Sequence, residues 1–130
     1  MNIKTSEWGM ENFKKLFLAY VVLIFVLSVM YIGDSAVLNN TFIISFRTDH
    51  VLHALAFVPW AFFCVKLNKK LLPWFAFGML YAVCAEGVQY LIPYRSFNIN
   101  DMLANVLGVV TGFCIFVPLR KIVNGESCNL

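Results

Sequence analysis

A few polar side chains stand apart in an otherwise apolar chain, and their spacing is helical. Asp49 and His53 are four residues apart, and His50 lies between them. Glu86 and Gln89 are three apart, with Pro93 and Arg95 after them. Asp101 and Asn105 are four apart, and Gly108 and Gly112 continue the same stripe. Residues three and four apart share one face of a helix, so each set is a single stripe. An imidazole moves protons near neutral pH. A carboxylate in apolar surroundings serves as a general acid or base. A guanidinium holds a phosphate or carboxylate through paired hydrogen bonds.

Three uses of these residues follow. In the first, Asp49, His53, Glu86, Gln89, Arg95, Asp101 and Asn105 form a ligand-binding cluster, with Arg47 joining Arg95 on an anion. In the second, His53 and Glu86 are the catalytic candidates, and Arg95 stabilises developing negative charge. No serine or cysteine is clearly placed as a nucleophile, so this reading reduces to a water-mediated or metal-assisted hydrolysis. Asp49, His53, Glu86 and Asp101 follow no known metal-ligand spacing, and no metal or cofactor is assigned. In the third, the cluster only holds helix ends together. A lone histidine on a helix is usually a hydrogen-bonded core residue, and Gly108 and Gly112 are first of all helix-packing sites. A small transporter or channel fits less well, because polarity confined to one half gives no path through the bundle.

The elements that must carry these stripes are membrane helices. Of the 130 residues, 61% are hydrophobic and 13% charged; ordinary soluble domains have about 45–50% and about 25%. A chain this short has too little interior to hide that surface. The composition argues against a soluble enzyme, a disordered tail and a nucleic-acid module. Four apolar runs predict an all-α fold, a four-transmembrane-helix bundle, with helices over about 14–32, 49–66, 72–92 and 101–119 in one domain covering 1–130. A bilayer core needs about 20 helical residues. Pro59 predicts a kink in the second helix. Pro73 suits the first turn of the third, and Pro93 and Pro118 mark helix ends. Asn98 or Asn100 is placed to cap the fourth helix. Lys14 and Lys15 before Leu16–Ile32 resemble a signal peptide, but this run exceeds the usual 7–15 residues of such a core and reads as a retained anchor. The four cysteines are scattered singly and predict neither a disulfide framework nor a zinc site. The Trp and Tyr residues, Trp8, Trp60, Trp74, Tyr20, Tyr31, Tyr90 and Tyr94, suit lipid contact and interfacial belts.

Eight of the ten basic residues fall on one side of these four spans: Lys4, Lys14, Lys15, Lys66, Lys69, Lys70, Arg120 and Lys121. Arg47 and Arg95 fall on the other. Cytoplasmic loops carry the Lys/Arg excess. Both termini and the 67–71 loop are therefore expected in the cytoplasm, with loops 33–48 and 93–100 outside. The polar stripes then lie in the outer half. With a rise of 1.5 Å per residue, Glu86 sits roughly 9 Å and His53 and Asn105 roughly 6 Å below the outer ends. Two layers are expected: Asp49, Arg95 and Asp101 above, and His53, Glu86, Gln89 and Asn105 below. Membrane lipids are the expected partners, and nucleic acid is not.

The string from Asp49 to Gly112, 64 of the 130 residues, resembles the VanZ-like family of small bacterial membrane proteins. That family's pattern reads as an acid, a basic residue and a spaced His on one helix. It continues with E-x-x-Q, then Pro and Arg, then D-x-x-x-N-x-x-G-x-x-x-G. Here these are Asp49, His53, Glu86, Gln89, Pro93, Arg95, Asp101, Asn105, Gly108 and Gly112; His50 stands where the family commonly has Lys. The resemblance implies a multi-pass protein of the bacterial cell membrane in a cell-envelope context. The family's named member is linked to resistance to the glycopeptide teicoplanin, so a role in antibiotic tolerance and an envelope ligand are implied as well.

The charge asymmetry makes a direct prediction. Reporter fusions after Leu130 and within 68–70 should read cytoplasmic, and one near Asn39 external. An external signal from the C-terminal fusion would overturn the four-span arrangement.

Overall fold

The computed structural model describes residues 3–30, 48–94 and 97–124, and their side chains except those of 3–8, 48, 49, 121 and 123. Among the described residues every regular element is helical. They are α1 (Ile3–Val29), α2 (Thr48–Phe57), α3 (Pro59–Lys66), α4 (Leu71–Gly87) with a 3-10 turn over Val88–Leu91, α5 (Ile99–Phe116) and α6 (Arg120–Asn124). The stretches 9–29, 71–91 and 99–116 are long and apolar enough to cross a membrane, and His50–Lys66 is a shorter apolar helix. Of the expected loop 33–48, residues 33–47 lie outside the described residues, and Thr48 already belongs to α2.

The helix ends differ from expectation for local reasons. α1 begins at Ile3 rather than near 14, because the apolar run marks only the lipid-matched part of a longer helix. Its polar start contains good helix formers and an i,i+3 pair between Lys14 Nζ and Glu11 at 2.6 Å. α5 spans Ile99–Phe116 rather than 101–119. Asn98 is its N-cap, its side chain accepting from the Asn100 N–H, and the helix stops short of Pro118. The third span runs from Leu71 to Leu91 and tightens into the 3-10 turn before Pro93. Asn68, at φ +50°, turns the chain between α3 and α4, a left-handed conformation that Asn tolerates.

Pro59 divides the second span, as its missing N–H requires. Val58 keeps helical angles, and its N–H still reaches the Ala54 carbonyl at 3.3 Å. The axis therefore continues while the hydrogen-bond ladder has a gap. Beside the gap the Tyr20 hydroxyl of α1 donates to the Ala56 carbonyl at 2.6 Å.

The central seam joins α2 and α3 to α5. A Cβ at Gly108 would fall on the backbone of Ala54, and one at Gly112 on the carbonyl of Val58 and the side chain of Ala61. The glycine stripe thus packs against the second span rather than the third. Pairs 54/108 and 58/112 advance in the same direction along both helices, so the two run parallel.

An aromatic block closes the other end. Trp60 Nε1 donates to the Trp74 carbonyl at 2.9 Å, and Trp74 Nε1 donates to the Trp60 carbonyl at 3.2 Å. Trp60 stacks on Tyr81 and meets Phe17 edge-on. Trp60 and Phe63 are buried, so they belong to the core and not to a lipid-facing belt, and the Trp60 indole N–H is satisfied by the backbone of a neighbouring helix. Tyr90 and Tyr94 are exposed, as expected of belt residues. So are Leu16, Leu18, Val22, Leu23 and Phe25 along α1. An apolar surface this continuous calls for lipid rather than water.

The seam generates a test. Gly108→Ala should lower the thermal midpoint by several degrees in detergent, since overpacking a tight contact costs about 1–3 kcal/mol. Gly87→Ala, where nothing lies within 4 Å of the added carbon, should leave it unchanged or raise it. Equal behaviour of the two variants would remove the seam from the account.

Candidate functional site

The polar stripes meet at the first turns of α2 and α5. At that end the parallel helices are held close by the glycines, and short side chains span the gap. His50 Nδ1 lies 2.7 Å from Asp101 Oδ1. His53 Nδ1 lies 3.1 Å from Asn105 Oδ1, and its Nε2 is 3.9 Å from Asp101 Oδ2. Asp101 therefore has one imidazole at each oxygen. An ionised Asp101 accepts from His50 Nδ1–H, which fixes that tautomer and leaves Nε2 as the nitrogen that can exchange a proton with a bound molecule. Asn105 is buried and restrains His53 from the second side.

Glu86 and Gln89, from the end of α4 and its 3-10 turn, take a different role. Glu86 is fully buried. Its Oε1 accepts from the backbone N–H of Asn98 at 3.2 Å, and its Oε2 from Gln89 Nε2 at 3.3 Å. The Asn98 side chain in turn accepts from the Asn100 N–H at 3.0 Å. A carboxylate against the N-terminal backbone of α5 is favoured by the helix dipole and by the otherwise unpaired amides there. Glu86 thus fixes where α5 begins, and with it the height of Asp101 and Asn105.

The two expected layers are accordingly not separate. His53 bridges Asp101 and Asn105 across them, and Glu86 is bonded upward to Asn98 and not to His53. Of the expected cluster, His53, Asp101 and Asn105 come together, and Glu86 and Gln89 adjoin them through the start of α5. The side chains of Asp49, Arg95 and Arg47 lie outside the described residues. The catalytic candidates were His53 and Glu86, yet His50 makes the shortest contact to the carboxylate. Its position three residues before His53, on the same face, was the available signal. Among the described residues, no group of three His, Cys, Asp or Glu side chains is placed to hold a metal ion.

Exposure separates the two groups of residues. The side chains of His50 and His53 keep 16% and 27% exposure, and that of buried Asp101 keeps 12%. Glu86 is sealed. The histidine–aspartate group is the part of the site that can touch a ligand, and the Glu86–Gln89–Asn98 group is its support.

Comparison with known proteins bears on the same residues. A family model described as VanZ/LLP1 matches residues 11–122, a span that holds the polar cluster and the glycine seam. No curated protein and no solved structure matches the chain. With the match covering most of its length, the chain belongs to the VanZ/LLP1 family.

Proposed function

We propose that the chain is a four-pass protein of the bacterial cell membrane whose outward-facing polar centre binds the polar head group of a lipid or another envelope ligand. In this reading both termini are cytoplasmic, one domain covers 1–130, and the split helix α2–α3 makes the shortest pass. The carrying observation is Asp101 held between His50 and His53 while remaining reachable. Ionisable groups inside a membrane bundle cost about 2.5–3.5 kcal/mol each on the insertion scale and mark functional interiors. The carboxylate suits a hydroxyl or amine of the ligand, and the imidazoles suit its anionic oxygens. By their positions in the sequence, Asp49 and Arg95 are assigned to the same centre. Family membership supports a cell-envelope setting, and tolerance to a glycopeptide is the corresponding phenotype.

One observation favours a second reading, an intramembrane hydrolase. Asp101 orients His50 through Nδ1, the arrangement that readies Nε2 to take a proton from water. The base is then His50 rather than His53, both of whose nitrogens face α5.

Cells making the wild-type chain should tolerate teicoplanin better than cells without it, and Asp101→Asn should remove that difference while staying folded in membranes. His50→Gln separates the readings: it keeps a hydrogen bond but cannot carry a proton, so binding weakens while hydrolysis is lost entirely. Glu86→Gln should act through stability, lowering the thermal midpoint more than Asp101→Asn, because the hydrogen bonds of Glu86 are wholly shielded from water while Asp101 keeps some exposure. A wild-type chain that leaves tolerance unchanged would end the glycopeptide link. Folded Asp101→Asn and His50→Gln variants with full tolerance would end the site assignment.

A further inference from the structure

The opposite end of the bundle carries a second feature, unrelated to the polar centre. Where α4 begins and α5 ends, an apolar groove of about 460 Å³ lies between them, lined by Leu71, Leu72, Phe75, Phe113, Cys114, Val117 and Pro118. Its lining is almost wholly apolar, and Phe75 and Phe113 meet edge-to-face at 5.1 Å. Basic residues flank it in the chain. Lys70 immediately precedes α4 and is exposed, as is Lys69 beside it; Arg120 follows Pro118 and is exposed. Arg120 donates to the Asn68 side chain, which brings the start of α6 to the loop that carries Lys69 and Lys70. Lys66 adds a further cation at this end, over the Phe13 ring. The described acidic side chain here, Glu11, is paired with Lys14.

We propose that this groove seats an acyl chain of an anionic glycerophospholipid whose phosphate lies against Lys70 and Arg120. The two halves of the feature match the two halves of that molecule. The apolar lining suits hydrocarbon rather than a polar ligand, and exposed ammonium and guanidinium groups at a membrane boundary attract a phosphodiester. A second copy of the chain fits worse. Two copies with the same orientation in one membrane bring Lys70 and Arg120 of each to the same level, so like charges would face across the contact. The site is independent of the function proposed for the histidine–aspartate centre and of which face of the membrane this end occupies.

The test uses the full chain in detergent with equal amounts of phosphatidylglycerol and phosphatidylcholine of identical acyl chains, read by native mass spectrometry. The wild type should retain phosphatidylglycerol at least about threefold over phosphatidylcholine. Lys70→Gln should bring the two close to parity, and Cys114→Phe, which fills the groove, should strip both. On the unaltered protein, phosphatidylglycerol should slow alkylation of Cys114 severalfold while leaving exposed Cys84 unchanged, so the outcome does not hang on how the variants fold. Equal retention of the two lipids by the wild type would overturn the proposal. So would full lipid retention by Cys114→Phe, unchanged alkylation of Cys114, or a dimer that Cys114→Phe abolishes in place of a lipid.

Discussion

The close approach of α5 to the second span is the constraint on which the rest depends. Asp and Asn have short side chains, so their contacts with a neighbouring imidazole depend on how closely and in what register the two helices pack. Gly108 and Gly112 remove the two Cβ atoms that would hold the helices apart, and they do so against the backbone of Ala54 and Val58. One turn nearer the end, Asn105 meets His53, and one turn further Asp101 meets His50. Packing and polar chemistry are thus two parts of one stripe: the glycines set the distance and the polar residues use it. The helices are not neighbours in sequence. Their parallel direction is seen in the pairs 54/108 and 58/112, which advance together along both helices.

The apolar remainder of the bundle obeys a single rule. In a hydrocarbon environment every buried donor must find an acceptor inside the protein. The Tyr20 hydroxyl reaches the Ala56 carbonyl beside the Pro59 gap. The Tyr81 hydroxyl donates to the Val21 carbonyl at 2.7 Å and that of Tyr94 to Val29 at 3.3 Å. These bonds attach α1, whose apolar surface is otherwise almost wholly turned outward. Trp60 and Trp74 satisfy each other's helices reciprocally. Aromatic residues with a polar tip therefore do more than mark an interface here: they are the means by which the helices are registered.

What the sequence made legible and what it did not divide along the same physical line. Periodicity and charge counts reveal properties of one helix at a time. The helical spans, the break at Pro59, the cap at Asn98 and the one-faced stripe Asp101–Asn105–Gly108–Gly112 are of that kind. Which helix receives the stripe is a property of a pair. Small residues state that something comes close, and Ala54 and Ala61, seven apart on the second span, are the complementary small surface. Trp60 reads as a belt residue for the same reason, since a single helix does not disclose that Trp74 stands opposite. Glu86 reads as a reactive acid because its charge in an apolar run is conspicuous. Its engagement with the Asn98 N–H depends on the path of the chain between Pro93 and Asn98, which no periodicity describes.

That last case bears on how buried charge in a small membrane protein is to be interpreted. The most deeply buried ionisable group is commonly taken as the functional one. Here the most buried carboxylate accepts from a backbone amide and a side-chain amide and has no solvent exposure. Asp101 and two imidazoles lie further out and keep some exposure. The two are linked, because Glu86 fixes the first turn of α5 and Asp101 stands in that turn. A change at Glu86 would thus be felt at the carboxylate that His50 meets at 2.7 Å. A loss of function on altering Glu86 would therefore arise from either role alone. Only the pairing of stability with function, measured for Glu86 and for Asp101 side by side, tells support from chemistry.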